Sequence, residues 1–180
     1  MKHPTVHLLA ACLFAMSAYA QSPIWRDASG APVPDTGSMK SSKDFGGSLL
    51  ITPDDDWKEK WDTPPDTKPN FNRADVIPYG KKVYVLTFFA NPKLDQQNKA
   101  NIRCDIQITA PTGKVSMSKK DLTCFSGAIA GRLYNTYLSD PVIAFRGDPG
   151  DPPGEWSVEV FLRDANRNVV LPLKSSFRLK

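Results

Sequence analysis

The sequence predicts an all-β fold for most of the chain, an antiparallel two-sheet sandwich preceded by an irregular N-terminal arm with one short helix. Three observations lead there. After Tyr79 the apolar residues recur with a period of two, the signature of strands that bury one face. Clusters of Pro, Gly, Asn and Asp separate these apolar runs at short intervals. About seven such runs fit into the last hundred residues, a density that suits a sandwich better than alternating strands and helices.

Taken in order, Met1 to Ala20 reads as a secretory signal peptide: Lys2 opens it, Leu8 to Met16 is apolar, and Ala18-Tyr19-Ala20 is a small-x-small cleavage site. The apolar stretch is too short to span a bilayer. Leu9-Ala10-Ala11-Cys12 also resembles a lipobox that would lipidate Cys12, but it leaves only a stub of apolar sequence before the cut, so cleavage after Ala20 is the expectation. Residues 21–78 form the proline-rich arm. Its helix is expected near 53–61, with Thr52 as N-cap, Pro53 at the first helical position and Asp54, Asp55 and Asp56 facing the positive end of the dipole. Trp57 and Trp61 then share one face. Gly46 to Ile51 is a short strand candidate, and Thr63-Pro64-Pro65-Asp66 ends the helix.

Residues 79–180 carry the sandwich. Val83 to Phe89 is apolar at nearly every position, as in a strand with both faces covered. Ile102, Cys104, Ile106 and Ile108 alternate with Arg103, Asp105 and Gln107. Pro111-Thr112-Gly113 turns the chain, and Val115 to Met117, Leu122 to Phe125 and Val142 to Phe145 are short strand candidates. Trp156, Val158, Val160 and Leu162 alternate against Glu155, Ser157, Glu159 and Arg163. The turn Asp164 to Asn168 then leads into a return strand through Val169, Leu171, Phe177 and Leu179.

The run Gly154-Glu155-Trp156-Ser157-Val158-Glu159-Val160, with the closing Phe177-Arg178-Leu179, resembles the immunoglobulin-like and fibronectin-III-like domains of exported bacterial proteins. The resemblance covers Tyr79 to Lys180 and implies the sandwich. It departs from antibody domains, whose cysteines lie far apart around a core tryptophan, and it brings no function with it.

Loss of residues 1–20 removes both histidines and Cys12, leaving 160 residues with Cys104 and Cys124 as the remaining thiols. Both fall on inward phases, so a disulfide is the expectation in an oxidising compartment. Without histidine there is no Ser-His-Asp or Cys-His arrangement and no imidazole ligand for a catalytic metal. A two-carboxylate glycosidase remains formally open, yet Asp54 to Asp56 suit a helix start, and Glu155 and Glu159 a solvated strand face. The expectation is a protein that is not an enzyme and uses no cofactor. Lys2 leaves with the signal peptide, so 22 basic residues face 19 acids, a net +3, in dispersed pairs such as Lys81-Lys82 and Lys119-Lys120. No nucleic-acid partner is implied, and no second apolar run is long enough for a membrane span.

The candidate interaction residues are Trp57, Trp61, Arg146, Asp148 and Asp151. The tryptophans, with Trp25 and Phe45, either fasten the arm to the sandwich or form an exposed platform. Asp148-Pro149-Gly150-Asp151 with Asp140 suits a turn, or alternatively a calcium loop. Arg146-Gly147-Asp148 spells a cell-adhesion tripeptide that such a loop also yields by chance. The sequence thus predicts an exported, non-catalytic binding protein of the bacterial envelope, periplasmic or extracellular, acting on another envelope protein as an interaction or inhibitor/immunity-type module. A carbohydrate-binding module and a surface-filament subunit are the alternatives.

Overall fold

The computed structural model describes residues 24–27, 29–64 and 69–180. The predicted signal peptide and Cys12 lie outside them. The elements are β1 (Met39–Ser42), β2 (Phe45–Thr52), α1 (Trp57–Trp61), β3 (Val76–Ile77), β4 (Lys82–Ala90), β5 (Lys99–Thr109), β6 (Val115–Ala128), β7 (Thr136–Leu138), β8 (Ile143–Arg146), β9 (Gly154–Asp164) and β10 (Val169–Leu179). One sheet runs β1-β2-β4, with β7 and β8 sharing the far side of β4; the other runs β3-β10-β9-β5-β6. This is an all-β sandwich. Its pairs are antiparallel except for the two-residue β3, which runs parallel to β10.

The alternation read in β5 and β9 is the one observed. Cys104, Ile106 and Ile108 lie opposite Leu162, Val160 and Val158 within the second sheet, and this layer, with Ile102 and Trp156, packs on Leu49, Ile51, Val83, Val85 and Phe89 of the first. Each aliphatic side chain fully buried there stabilises by about 1.5–3 kcal/mol relative to exposure. On the opposite side of β4, Leu86 and Phe88 are buried as well, which is why that strand is apolar throughout.

Three expectations are corrected. The sandwich starts well before Tyr79, because β2 sits between β1 and β4 and Phe45 is a fully buried core residue. The strand expected over Gly46 to Ile51 is therefore present as β2, but as a member of the sheet and not of an arm, and its two glycines serve it. A Cβ on Gly47 would lie 2.8 Å from Leu162, and one on Gly46 would lie 2.4 Å from Ile24 on the other face. Both positions thus need glycine for close approach. The β1–β2 hairpin turns through Lys43 and Asp44, both at positive φ, without the glycine that usually marks such a turn. Second, the helix begins at Trp57 instead of Pro53. β2 continues through Thr52, whose hydroxyl accepts the Asp54 N–H at 3.1 Å, and Asp56 takes the N-cap position without a side-chain capping bond. Third, the two short strands expected at 115–117 and 122–125 are one fourteen-residue strand, β6. Its pairing with β5 skips residues at three bulges, which hid its continuity.

Cys104 and Cys124 are joined by a disulfide across β5 and β6, with Cα atoms 5.9 Å apart and a sequence separation of 20. Cys124 is the residue skipped at one of the bulges. The cross-link therefore secures an edge strand where its ladder is interrupted. Replacing both cysteines by alanine is expected to lower stability by roughly 3 kcal/mol on the chain-entropy account. Urea unfolding checks it; a midpoint equal to that of the oxidised wild type would show that the bridge is not a stabilising element.

Candidate functional site

Four connections meet at one end of the sandwich; a buried ion pair ties three of them together and Asn91 links the fourth. Asp164 ends β9 with its side chain fully buried. Its carboxylate accepts the Lys93 N–H at 2.7 Å, the Arg167 N–H at 3.1 Å and the Arg167 Nε–H at 3.3 Å. The same guanidinium donates onward to the Asn91 carbonyl at 3.0 Å and to the Lys43 carbonyl. Asn91, at positive φ, donates its side-chain amide to the Asp44 carbonyl and its backbone N–H to the Leu133 carbonyl, each at 2.6 Å. Asn166 Nδ2 reaches the carbonyls of Lys93 and Lys99, both at 2.9 Å. The β1–β2, β4–β5, β6–β7 and β9–β10 connections, drawn from both sheets, thereby hold one another. Charge-assisted bonds in a buried setting are the stronger kind, so the loops are held to one another by the fold itself.

Residues 129–135 belong to this rim, with Ile129 packed against the core and the Leu133 carbonyl held by the Asn91 N–H. The Tyr137 hydroxyl lies 2.9 Å from the Ala130 carbonyl and 2.7 Å from the Arg132 carbonyl, and the Asn135 N–H closes a turn onto Arg132 at 2.9 Å. This scaffold presents Tyr134 at 69% exposure beside an exposed Arg132. Tyr and Arg are among the contact residues that most often dominate binding energy, Tyr because a rigid ring buries much surface for little lost freedom and Arg because its planar guanidinium presents several donors at once.

The five residues singled out from the sequence lie elsewhere, in two separate places. Trp57 and Trp61 are half-buried on the outer face of the first sheet, with ring centroids 6.1 Å from Tyr84 and 5.3 Å from Phe88 respectively. Phe71 adds to this layer at 6.3 Å from Phe88. The helix is moored by Asp54, which accepts Lys60 Nζ at 2.8 Å, the Asn72 N–H at 2.9 Å and Asn72 Nδ2 at 2.8 Å. The rings thus fasten the connection between β2 and β3 onto the sheet.

Burial pushes the Asp54 carboxyl up, but the Lys60 ammonium and the two Asn72 donors outweigh it and hold the group at about 2. A depressed folded-state value gives stability that is fully present above the ordinary 3.8 and lost as pH falls from there towards 2. Asp54→Asn should remove this part of the acid sensitivity, worth about 2 kcal/mol, so that variant and wild type converge near pH 2. Acid titration of the urea midpoint checks it; parallel curves would rule out Asp54 as a contributor.

Arg146, Asp148 and Asp151 lie at the opposite end of the sandwich. The Asp148 N–H donates to Asp151 Oδ2 and the Asp151 N–H to the Asp148 carbonyl, each at 2.9 Å, while the Tyr79 hydroxyl takes the Asp151 carbonyl at 3.0 Å. This is turn chemistry. Gly147 between them is buried, and a Cβ there would lie 2.5 Å from Leu179, so the tripeptide does not stand out as a tip. Among the described residues no three His, Cys, Asp or Glu side chains gather as a metal ion would require. Beside this loop an open cleft of about 490 Å³ is lined by Lys114, Val115, Pro152 and the edge of Trp156, among others.

Sequence reasoning passed over Tyr134, Arg132 and the Asp164–Arg167 pair. Asp164 and Arg167 do lie at the β9–β10 turn that the sequence predicts, but their partners come from remote connections.

No family model and no curated protein sequence matches the chain. Solved structures with partial likeness include the alkylpurine DNA glycosylase AlkC of Pseudomonas fluorescens, at 17% identity over 58% of this chain and 27% of that one, with a TM-score of 0.38. A family 123 glycoside hydrolase from Clostridium perfringens shares 10% identity over 74% of this chain and 27% of its own, TM-score 0.42. A Niemann-Pick type C2 protein from Japanese carpenter ant shares 10% over 81% and 94%, TM-score 0.38. The chain spans about a quarter of the length of the first two. Likeness at this level assigns neither an activity nor a ligand.

Proposed function

We propose that this is an exported, non-catalytic binding protein of the bacterial envelope, an interaction or inhibitor/immunity-type module that engages another protein through the loop end of an immunoglobulin-like sandwich. The observation that carries it is the clamping of three loops by Asp164 and Arg167, with Asn91 linking the fourth, which displays Tyr134 and Arg132. A rim ordered in advance loses little conformational entropy on association. Export is supported by the N-terminal sequence pattern and by the disulfide, which persists in oxidising compartments. No helix among the described residues is long and apolar enough to cross a membrane. A non-catalytic role is supported by the pairing of the buried carboxylates: Asp54 lies 2.8 Å from Lys60 Nζ and Asp164 3.3 Å from Arg167 Nε, so each is committed to a cation within the fold.

The carbohydrate reading is weakened by the packing of Trp57 and Trp61 on their own sheet. The filament reading is weakened by the sheet edges: β1 has four residues, β3 has two, β7 and β8 are separate short pieces, and β6 is bulged and carries Lys119 and Lys120. Such features block strand addition.

Affinity capture from the producer's envelope fractions, with the oxidised protein as bait, is the test. One stoichiometric protein should be retained, and Tyr134→Ala should weaken its binding by about 2 kcal/mol, roughly thirtyfold. Undiminished capture by a Tyr134→Ala and Arg132→Ala double variant would refute the loop-end site. Retention of glycans alone, lost in Trp57→Ala, would favour the carbohydrate reading instead.

A further inference from the structure

The two sheets differ in what covers their outer faces. α1, Phe71, Ile24 and Trp25 cover the first. On the second, no outward residue of β5, β9 or β10 is buried. Of the five large apolar side chains that are exposed among the described residues, four stand on this face: Phe161, which is 42% exposed, Val170, Val76 and Val115. The strand register fixes their phase. Phe161 lies between Asp105 on β5 and the exposed Pro172 on β10, Val170 beside Arg163, Val76 beside Arg178 and Val115 beside Thr109. Strands that already bury their other face gain nothing in folding from apolar groups here, so their concentration on one face marks a contact surface.

The arrangement around the ring fits a second copy of the same chain. On β9 the outward residues Glu159, Phe161 and Arg163 read acid, ring, base, with the ring midway. A two-fold axis lying across the strands through Phe161 reverses that order in the other copy, so ring meets ring and each Glu159 meets an Arg163. The neighbouring strands follow the same symmetry. On β10, Val170 comes over the stem of Lys174 with Pro172 on the axis; on β5, Arg103 comes over Gln107 with Asp105 on the axis. Asp105 therefore faces its own mate, but it is neutralised within each copy. Arg163 bonds it through both guanidinium nitrogens, at 2.8 and 2.9 Å, and with the Asp121 N–H keeps its carboxyl at about 2. Asp121 is balanced by Arg103 at 2.7 Å and Glu159 by Lys174 at 3.1 Å, so acids and bases alternate across the face.

We propose that the outer face of the β3-β10-β9-β5-β6 sheet is the contact of a two-fold homodimer centred on Phe161, the strands of the two copies running antiparallel. Four strands ~4.8 Å apart, overlapping for about nine residues at ~3.3 Å each, cover on the order of 600 Å² per copy. That reaches the lower limit of a stable interface, about 1,200 Å² in total, so the association is reversible and concentration-dependent. The sheets stack face to face and do not extend one another, because the bulges of β6 interrupt its free edge. The loop ends of the two copies then point in opposite directions. Opposite charges meeting across the contact fix its register and exclude other pairings.

Sedimentation equilibrium of the intact oxidised protein from about 1 μM to about 1 mM tests this. A reversible monomer–dimer equilibrium is expected. Phe161→Thr should raise the dissociation constant by about tenfold or more, and Glu159→Arg, which sets a cation against Arg163 of the other copy, should do the same. The sharpest arm mixes Glu159→Arg with Arg163→Glu. Each variant repels itself, yet together they restore both cross-copy pairs, so the mixture should dimerise where neither component does. Phe161→Thr, at an exposed position, decides if Arg163→Glu fails to fold for want of its Asp105 partner. A monomer throughout the range would overturn the proposal and leave the face to a different protein. A dimer indifferent to Phe161→Thr, or a mixture of folded components no better associated than either alone, would overturn it as well. Tyr134→Ala should leave the association unchanged, so this inference and the loop-end reading fail separately.

Discussion

Asp164→Ala is expected to destabilise the fold by about 3–5 kcal/mol, the cost of breaking a buried ion pair from one side. The substitution strands the Arg167 guanidinium, which is only 20% exposed, and deprives the backbone N–H groups of Lys93 and Arg167 of their acceptor. Each donor left without its acceptor in this part-buried setting adds a desolvation cost. A control separates charge from packing: Asp164→Ala with Arg167→Leu should recover part of the loss, because it removes the orphaned cation as well. Urea midpoints of the two variants decide it, and a loss below about 1 kcal/mol in Asp164→Ala would show that the pair is not the clamp. The same variant should lose partner capture beyond what its unfolded fraction explains, since the rim would no longer be ordered.

Trp156→Ala should cost a comparable 3–5 kcal/mol by leaving a cavity in the core. Trp156 is 1% exposed, with ring centroids 4.9 Å from Phe145 and 6.5 Å from Phe177, so it joins β8, β9 and β10 in one aromatic stack. Its indole N–H donates to the Pro152 carbonyl at 3.0 Å, which also moors the loop before β9. Trp156→Phe should cost clearly less, because it keeps a ring and forfeits chiefly the hydrogen bond and some volume. Near-UV circular dichroism and the urea midpoint read both variants. Equal losses in the two would place the stabilisation in the hydrogen bond and refute the packing account.

The parts of the fold that were legible are those where a local rule suffices. In β5, β9 and β10 the pleat sends alternate residues to opposite faces, so the apolar phase identified the core side without knowledge of any partner strand. β2 was legible as a short strand over Gly46 to Ile51 but not as a central member of the sheet, because its partners β1 and β4 flank it only in the folded chain. The value of Gly46 and Gly47 appears only when Leu162 of the opposing sheet and Ile24 of the N-terminal segment lie against them. Phe161 was visible as a break in an otherwise polar phase, a signal present in the sequence but submerged by the regular pattern around it.

The candidate site depended still more on distance along the chain. Arg167 meets Lys43 across 124 residues and Asn91 across 76, and Asp164 meets Lys93 across 71. By itself, the sequence determined the all-β class, the inward phases of its long strands and a cysteine pair placed on them, since each follows from near-neighbour geometry and residue chemistry. Only the tertiary structure decided that a turn aspartate becomes a buried clamp, that the tryptophans of α1 are fasteners, and that Tyr134 and Phe161 remain outside. The physical reason is that burial and charge pairing are set by which loops the two sheets bring to the same end, and those loops are remote in sequence.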